Sequence, residues 1–475
     1  MDWLPADHLV YFLLDVVGEM DLRAIEAKLQ CKDARGTRPY PPQMMVALLL
    51  YGYCVGVFSS RKLEKGTYED VALRVLAGGH HPDHTRISEF RRQHLEALQE
   101  LFLQVLKLCH KAGLVKLGHV ALDGTKIQGN ASKHKAMSYE RMVELEERLR
   151  TEIDDLLQQA EQIDVTEDAR YGQGVRGDEL PEELHHRQSR LAVIREAKTQ
   201  LEEEAKQVRA LALREQAEKA RKRSETHQKT WVRKGLATVA RKSEAKATSL
   251  VSDDEQLKFM TQEGLPQHRP QTTVEGKPKP KAQRNFTDPD SRIVRSGSGY
   301  VQGYNCQAVV DDVHQIIVAQ AVTNQSPDNG NLLPMLEQVA SNCGQVPQVM
   351  SADKGYWSPL MPRAAEQLGT EVLVSTERRK HWQVDNTVTH GPPPSEQDEL
   401  GKMRHKLRTD RGRKLYARRK TIVEPVFGQM KECRAFRRFL LRGLLKVAGE
   451  WSLVSTGHNL LKLYRATWKQ TIGRA

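Results

Sequence analysis

Three acidic residues in this 475-residue chain stand where carboxylates can do metal-assisted chemistry. Val120-Ala121-Leu122 is a short apolar run closed by Asp123 and followed by Gly124. Gln348-Val349-Met350-Ser351-Ala352 is a second, closed by Asp353 and followed by Lys354-Gly355. An Asp at the C-terminal tip of a strand points into the crevice where open α/β sheets hold ligands. A turn-forming Asp before Gly is common, so one such residue says little; two on strands that would be neighbours say more. Glu424 lies among Ile422, Val423, Val426 and Phe427, which predicts burial, and a buried carboxylate needs a partner or a metal. Positive charge is densest around it. Gly401 to Lys420 holds ten Lys/Arg and one acid, Asp410; Lys431 to Lys446 holds six and one, Glu432. Carboxylates inside a basic surface point to metal ions held against a phosphate backbone. Breaking or transferring a phosphodiester uses two divalent ions about 3.5–4 Å apart. Mg²⁺, with Mn²⁺ as a substitute, suits a cage of carboxylate oxygens and water.

The elements that must position these residues follow from periodicity. Residues 1–115 read as all-helical, with Leu9, Phe12, Leu13 and Val16 at helical spacing. Thr85 to Cys109 is predicted as one long helix whose first turns carry Arg86, Arg91 and Arg92, side chains placed to meet DNA or to form a solvated basic face. One strand is predicted at 117–127, a hairpin at 302–322 turning at Asp311-Asp312-Val313-His314, and strands at 348–353 and 371–375 with helices between them. Basic helices run from about Arg411 onwards. A mixed α/β sheet with helices on its faces is expected, and the order fits an RNase H-like core (116–130 and 296–475) interrupted after its first strand. The interruption, 131–263, carries Met142, Leu145, Leu149, Ile153 and Leu156, then Leu184, Leu191, Ile194, Leu201 and Val208, about a Gly-rich break at 170–177. That predicts a helical hairpin or coiled coil, either structural or a dimerisation arm. Residues 264–295, rich in Pro and Lys, read as a flexible linker.

Net charge is +12, from 73 Lys/Arg against 61 Asp/Glu, which suits a polyanionic partner. The apolar stretch Met44 to Phe58 is shorter than the ~20 residues of a membrane span. Met1-Asp2-Trp3-Leu4-Pro5 lacks a basic n-region, so no secretory signal is expected, and six scattered cysteines without a C-x-x-C pair suit a cytosolic protein. His80, His81 and His84 lack acidic or Cys partners at ligand spacing and read as chance loop histidines. Trp357 and Trp451 can stack on a base or fill a core, core being favoured for Trp451; Asn324 and Asp328 can support the site or serve a turn.

These residues together resemble a family. Ala121-Leu122-Asp123-Gly124-Thr125-Lys126, Ser351-Ala352-Asp353-Lys354-Gly355-Tyr356 and Glu424-Pro425-Val426-Phe427-Gly428-Gln429 are similar to motifs of insertion-sequence DDE transposases, the RNase H-like group with a Tyr-Arg-Glu-Lys signature. Gly303-Tyr304-Asn305-Cys306-Gln307, Thr323-Asn324-Gln325-Ser326, His458-Asn459-Leu460 and Leu49-Leu50-Tyr51-Gly52-Tyr53 extend the likeness nearly end to end. The resemblance implies Asp123, Asp353 and Glu424 as a catalytic, metal-binding triad and Tyr416, Arg419 and Lys431 as signature residues near DNA phosphates. Four residues separate Arg419 from Glu424, one more than in the family; Lys420 stands at the family's distance, so either can fill the Arg role. Arg434, in the basic stretch that follows, joins the expected DNA-binding set. The implied activity is Mg²⁺-dependent strand cleavage at element ends and 3′-OH transfer into target DNA, by a homodimer on terminal inverted repeats. A metal-dependent nuclease on the same fold and a non-catalytic DNA-binding descendant stay open.

Overall fold

The computed structural model describes residues 3–30, 39–171, 182–251, 259–297, 299–377, 387–393 and 398–468. They form two compact units. One comprises Met1–Asn130, Met260–Gln267 and Ile293–Ala475; the other comprises Ala131–Phe259 and His268–Arg292.

The first unit opens with helices α1 (Leu9–Glu19), α2 (Arg23–Gln30), α3 (Pro42–Val55), α4 (Ser60–Glu69), α5 (Val71–Leu76), α6 (His84–Gln93) and α7 (Leu95–Lys111), then enters strand β1 (His119–Gln128). The helical reading of 1–115 agrees, except that the single helix expected over 85–109 is two. His94 leaves helical geometry at their junction, and Asp83 caps α6 by accepting from the Thr85 and Arg86 amides.

The second unit holds β2 (Ala136–Ser138), α8 (Tyr139–Tyr171), α9 (Glu182–Thr226), α10 (Thr230–Leu250) and β3 (Gln283–Asn285). α9 has two partners. Leu191, Ile194 and Ala197 pack on Met142, Leu145, Leu149 and Ile153 of α8, while Ala210, Leu213, Ala217 and Ala220 pack on Ala240 and Ala247 of α10. The expected hairpin is therefore three long helices. Its predicted glycine break from Gly172 onward and the side chain of Leu184 lie outside the described residues. The segment expected to be a flexible linker is ordered: β3 pairs antiparallel with β2, and Thr273 and Lys277 close a tight turn.

The chain then supplies the rest of the sheet: β4 (Arg292–Ser296), β5 (Gly299–Asp311), β6 (Ile317–Thr323), α11 (Leu332–Cys343), β7 (Val349–Ala352), α12 (Met361–Gln367), β8 (Glu371–Val374), α13 (Glu399–Arg408), α14 (Asp410–Gly428) and α15 (Leu444–Ala466). The strand path runs β6-β5-β1-β7-β8, with β4 also on β5. β1 is antiparallel to β5 and parallel to β7, which is parallel to β8. This is the mixed α/β architecture expected.

α15 explains why no boundary falls at residue 115. It is buried nearly all round, packing on α3, α7 and β6. Gly449 lets Leu95 approach so closely that a Cβ would lie 2.5 Å from its Cγ. Asn459 grips the edge of β6 twice, accepting from the Ile317 amide (2.9 Å) and donating to its carbonyl (2.8 Å), while His458 bonds the Gln315 carbonyl (2.9 Å). Trp451 is fully buried and donates to the Gln307 carbonyl. The N-terminal helices and the sheet thus share one core through the C-terminal helix. Among the described residues no single helix is long and apolar enough to cross a membrane.

Candidate active site

The period of two along β1 sorts its residues onto two faces. Asp123 and Thr125 face α14 and the π-helical turn Gln429–Cys433 that follows it. Arg419 Nη1 lies 3.1 Å from Asp123 Oδ2, and Lys431 Nζ donates to Thr125 Oγ1 at 3.0 Å. Gly124 and Lys126 face the other way, opposite Gln307 and Asn305 of β5 in register. There Asp328, from the loop after β6, accepts through Oδ1 from Lys126 Nζ (3.1 Å), Asn305 Nδ2 (2.7 Å) and Gln307 Nε2 (3.0 Å). Tyr356, fully buried, donates its hydroxyl to Gln307 Oε1. A Cβ on Gly124 would lie 2.6 Å from Gln307 Nε2 and 2.9 Å from Asp328 Oδ1, so only glycine fits.

Asp353 reaches the same place by register. Ala121 of β1 pairs with Ser351 of β7, so Asp123 and Asp353 stand side by side. Asp353 follows the end of β7 as expected, whereas Asp123 lies midway along β1, which continues to Gln128 because it stays paired with β5. Asp353 Oδ1 accepts from the Gly355 amide (2.7 Å); its Oδ2 has no hydrogen-bond partner among the described residues. A Cβ on Gly355 would lie 3.0 Å from Asp353 Oδ1 and 3.4 Å from Asp328 Oδ2, so these two carboxylates draw near each other beside Gly355. The proton affinity of Asp123 reports its burial first. Burial pushes its pKa up to about 6; Arg419 and the Gly124 amide oppose this, and the charges of Asp353 and Asp328 add to it. Burial works against the charge of Arg419, but Asp123, Tyr416 and Asp353 outweigh it and hold the guanidinium above its ordinary pKa. The guanidinium also lies 6.0 Å from the centre of the Tyr416 ring.

Glu424 corrects its expectation. It is exposed, and no hydrogen bond joins it to Asp123 or Asp353. Ile422, Val423 and Val426 take the buried face of α14; five residues beyond Arg419, Glu424 is turned about 140° from it and lies about 7.5 Å further along the axis. Pro425 follows within the helix, and the Thr421 carbonyl it cannot bond accepts from Gln315 Nε2 at 3.0 Å. Among the described residues no group of three His, Cys, Asp or Glu is close enough to hold one metal ion. Lys420 is exposed, so Arg419 is the residue directed at Asp123.

Two expected DNA contacts are buried in the core. Arg91, 3% exposed, donates to the Phe58 carbonyl (3.1 Å) beside buried Glu450, which accepts from the Leu440 and Leu441 amides. Arg434, 6% exposed, bonds the carbonyls of Tyr53 and Val454. Neither can reach a phosphate. Arg86 and Arg92 are exposed on α6. His84 bonds Glu64 (2.8 Å) and His81 stacks on Tyr68, both ordinary surface contacts. Sequence reasoning gave Asp328 only a supporting part and did not single out Lys126. The signal was the alternation of Asn305 and Gln307, which puts two amides on one face of β5.

The donor set fits a hard divalent cation in its chemistry. Asp123 and Asp353 offer oxygens only and one oxygen of Asp353 is unpartnered, while Glu424 stands on the exposed side of α14.

Residues 1–93 match the family described as Transposase domain (DUF772), and residues 378–464 match the Transposase DDE domain family. Together the two matches support an insertion-sequence DDE transposase, with DNA as the partner the family implies. The second match contains Tyr416, Arg419, Glu424 and Lys431 and excludes Asp123 and Asp353. No curated protein and no solved structure matches the chain.

Proposed function

We propose that the chain is a transposase that cleaves DNA strands at the ends of its element and joins the freed 3′-OH to target DNA. The observation that carries this is the placement of Asp123 and Asp353 side by side on adjacent parallel strands, faced by Arg419. The strand path β6-β5-β1-β7-β8, with antiparallel strands on one side of β1 and parallel ones on the other, supports an RNase H-like core. Asp123 and Asp353 would hold divalent ions between them, and Glu424, exposed on α14, is the third ligand that the family resemblance implies. Bound there, Mg²⁺ or its substitute Mn²⁺ supplies Lewis acidity to the attacking and leaving oxygens. The chain's own residues do the rest. Arg419 exchanges Asp123 for a phosphate, which its planar guanidinium binds through two parallel bonds. Tyr416 packs beside it, and Thr125 aims Lys431 at the same backbone. Asp328, through Lys126, Asn305 and Gln307, holds the strands rigid beneath the two aspartates. Lys420, Arg86 and Arg92, exposed, add contacts that carry no base information. A homodimer acts, because two ends must meet.

The test is a supercoiled plasmid carrying both element ends, incubated with Mg²⁺. Wild type should nick or cut at the ends and yield strand-transfer products; Asp353→Asn should bind the ends equally and do neither. Cutting without joined products would favour a nuclease. Equal cutting by Asp353→Asn would overturn the catalytic assignment.

A further inference from the structure

The second unit sorts its charge by place. α8 carries eleven Asp/Glu and four Lys/Arg. The end where α9 turns into α10, Lys219 to Lys242, carries nine Lys/Arg and one acid, Glu225. A helical pair charged only for solubility interleaves the two signs. Here they are segregated, and the cations face water. On α10 the buried face is Ala240, Ser243 and Ala247; Lys234, Arg241 and Lys242 fall on the opposite side and are exposed. Arg221 is spent on Glu244 and Lys222 on Glu218. Arg223, Lys229, Arg233, Lys234, Arg241 and Lys242 form no ion pair among the described residues. Trp231, 74% exposed, stands in the first turn of α10 amid this charge.

We propose that the α9–α10 turn and the outward face of α10 are a second DNA-binding surface, an arm that grips the backbone of duplex DNA without reading sequence. Each cation that meets a phosphate releases a condensed counterion, which is the source of both affinity and salt dependence. Long basic side chains on a two-helix scaffold suit that role, because the phosphates fix position and the bases are left unread. Trp231 lays an apolar plane against the sugar edge beside the row of cations. The surface lies in the unit that contains none of Asp123, Asp353 and Glu424, and the inference does not depend on their chemistry.

The full-length chain is titrated with a duplex of random sequence over a range of salt. The triple variant Lys234→Ala, Arg241→Ala, Lys242→Ala is compared with Arg141→Ala, Arg148→Ala, Arg150→Ala, which removes equal charge from the exposed surface of α8. The α10 triple should bind at least tenfold more weakly at about 0.1 M salt, with the slope of log K against log salt smaller by about 2–3. The α8 triple should bind within twofold of wild type with an unchanged slope. Trp231→Ala should cost a further threefold or so. Glutamine at the three α10 positions should reproduce the loss. Equal effects of the two triples, or unchanged affinity with altered oligomeric state by sedimentation, would overturn the proposal; the latter would make this face a contact between copies. Loss of DNA cleavage alone would strike the catalytic reading and leave the arm standing.

Discussion

Gly124→Ala tests the wall beneath the two aspartates. The added methyl would sit 2.6 Å from Gln307 Nε2, 2.9 Å from Asp328 Oδ1 and 3.0 Å from Asn305 Oδ1. Asn305 and Gln307 are fully buried, so neither can swing into water. Overfilling a packed site costs about 1–3 kcal/mol. Relief requires the Gln307 amide to retreat, which loses its 3.0 Å bond to the Asp328 carboxylate, about 1.5–3 kcal/mol for a charged acceptor. The sum is about 2.5–6 kcal/mol. Gly355→Ala is the comparison: its Cβ meets the adjoining Asp353 Oδ1 at 3.0 Å and Asp328 no closer than 3.4 Å, so about 1 kcal/mol is expected. Urea unfolding of the first unit, followed by tryptophan fluorescence, gives both midpoints; an unchanged slope makes the difference a stability change. A Gly124→Ala loss below about 1 kcal/mol, or one no larger than that of Gly355→Ala, would refute the reasoning.

Three further outcomes follow from the same geometry. Arg91→Ala and Arg434→Ala should each lower stability by about 2–4 kcal/mol, by thermal denaturation, and leave the DNA affinity of the folded protein unchanged; Arg86→Ala and Arg92→Ala should do the reverse. Glu450→Ala strips the Leu440 and Leu441 amides of their acceptor and removes the negative charge beside buried Arg91, and should cost about 3–5 kcal/mol, readable as a lower melting temperature. In metal-free protein, Asp123 binds its proton more tightly folded than unfolded, with a pKa of about 6 against 3.8. Its contribution therefore favours the fold below about pH 4 and is lost as pH rises to about 6. Asp123→Asn should flatten that limb and gain at most about 3 kcal/mol at pH 7, less what Arg419 loses; a pH series of urea midpoints reads it.

Much of the sheet was legible because its strands announce themselves. The apolar runs of β1 and β7 are followed by Asp-Gly and Asp-Lys-Gly, and the parallel register of the two strands then forces Asp123 and Asp353 together, although β1 itself continues past Asp123 to Gln128. The β5–β6 hairpin was legible for the same reason, its turn marked by Asp311-Asp312-Val313-His314. Glu424 was misread because apolar neighbours on both sides do not bury a helical residue. At 3.6 residues per turn the phase decides, and Val423 and Val426 hold the inward positions. Arg91 and Arg434 were misread because counting charge cannot see Glu450 or the Tyr53 carbonyl, which the fold brings from far along the chain. The union of the N-terminal helices with the core was invisible because it runs through α15. That helix is buried nearly all round, with polar Glu450, His458 and Asn459 among its buried residues, so its periodicity names no partner. The stretch read as a linker had the composition of one, and the pairing of β3 with β2 and the turn closed by Thr273 and Lys277 show otherwise.

The most direct measurement is a metal switch at Asp353, whose Oδ2 is free to accept a cation. Asp353→Cys replaces a hard oxygen ligand with a softer sulfur. End cleavage by this variant should vanish in Mg²⁺ and return in Mn²⁺, while wild type cuts in both and Asp353→Ala in neither. Equal cleavage by wild type and Asp353→Cys in Mg²⁺, with DNA binding intact, would contradict the claim that Asp353 and Asp123 hold the catalytic ions.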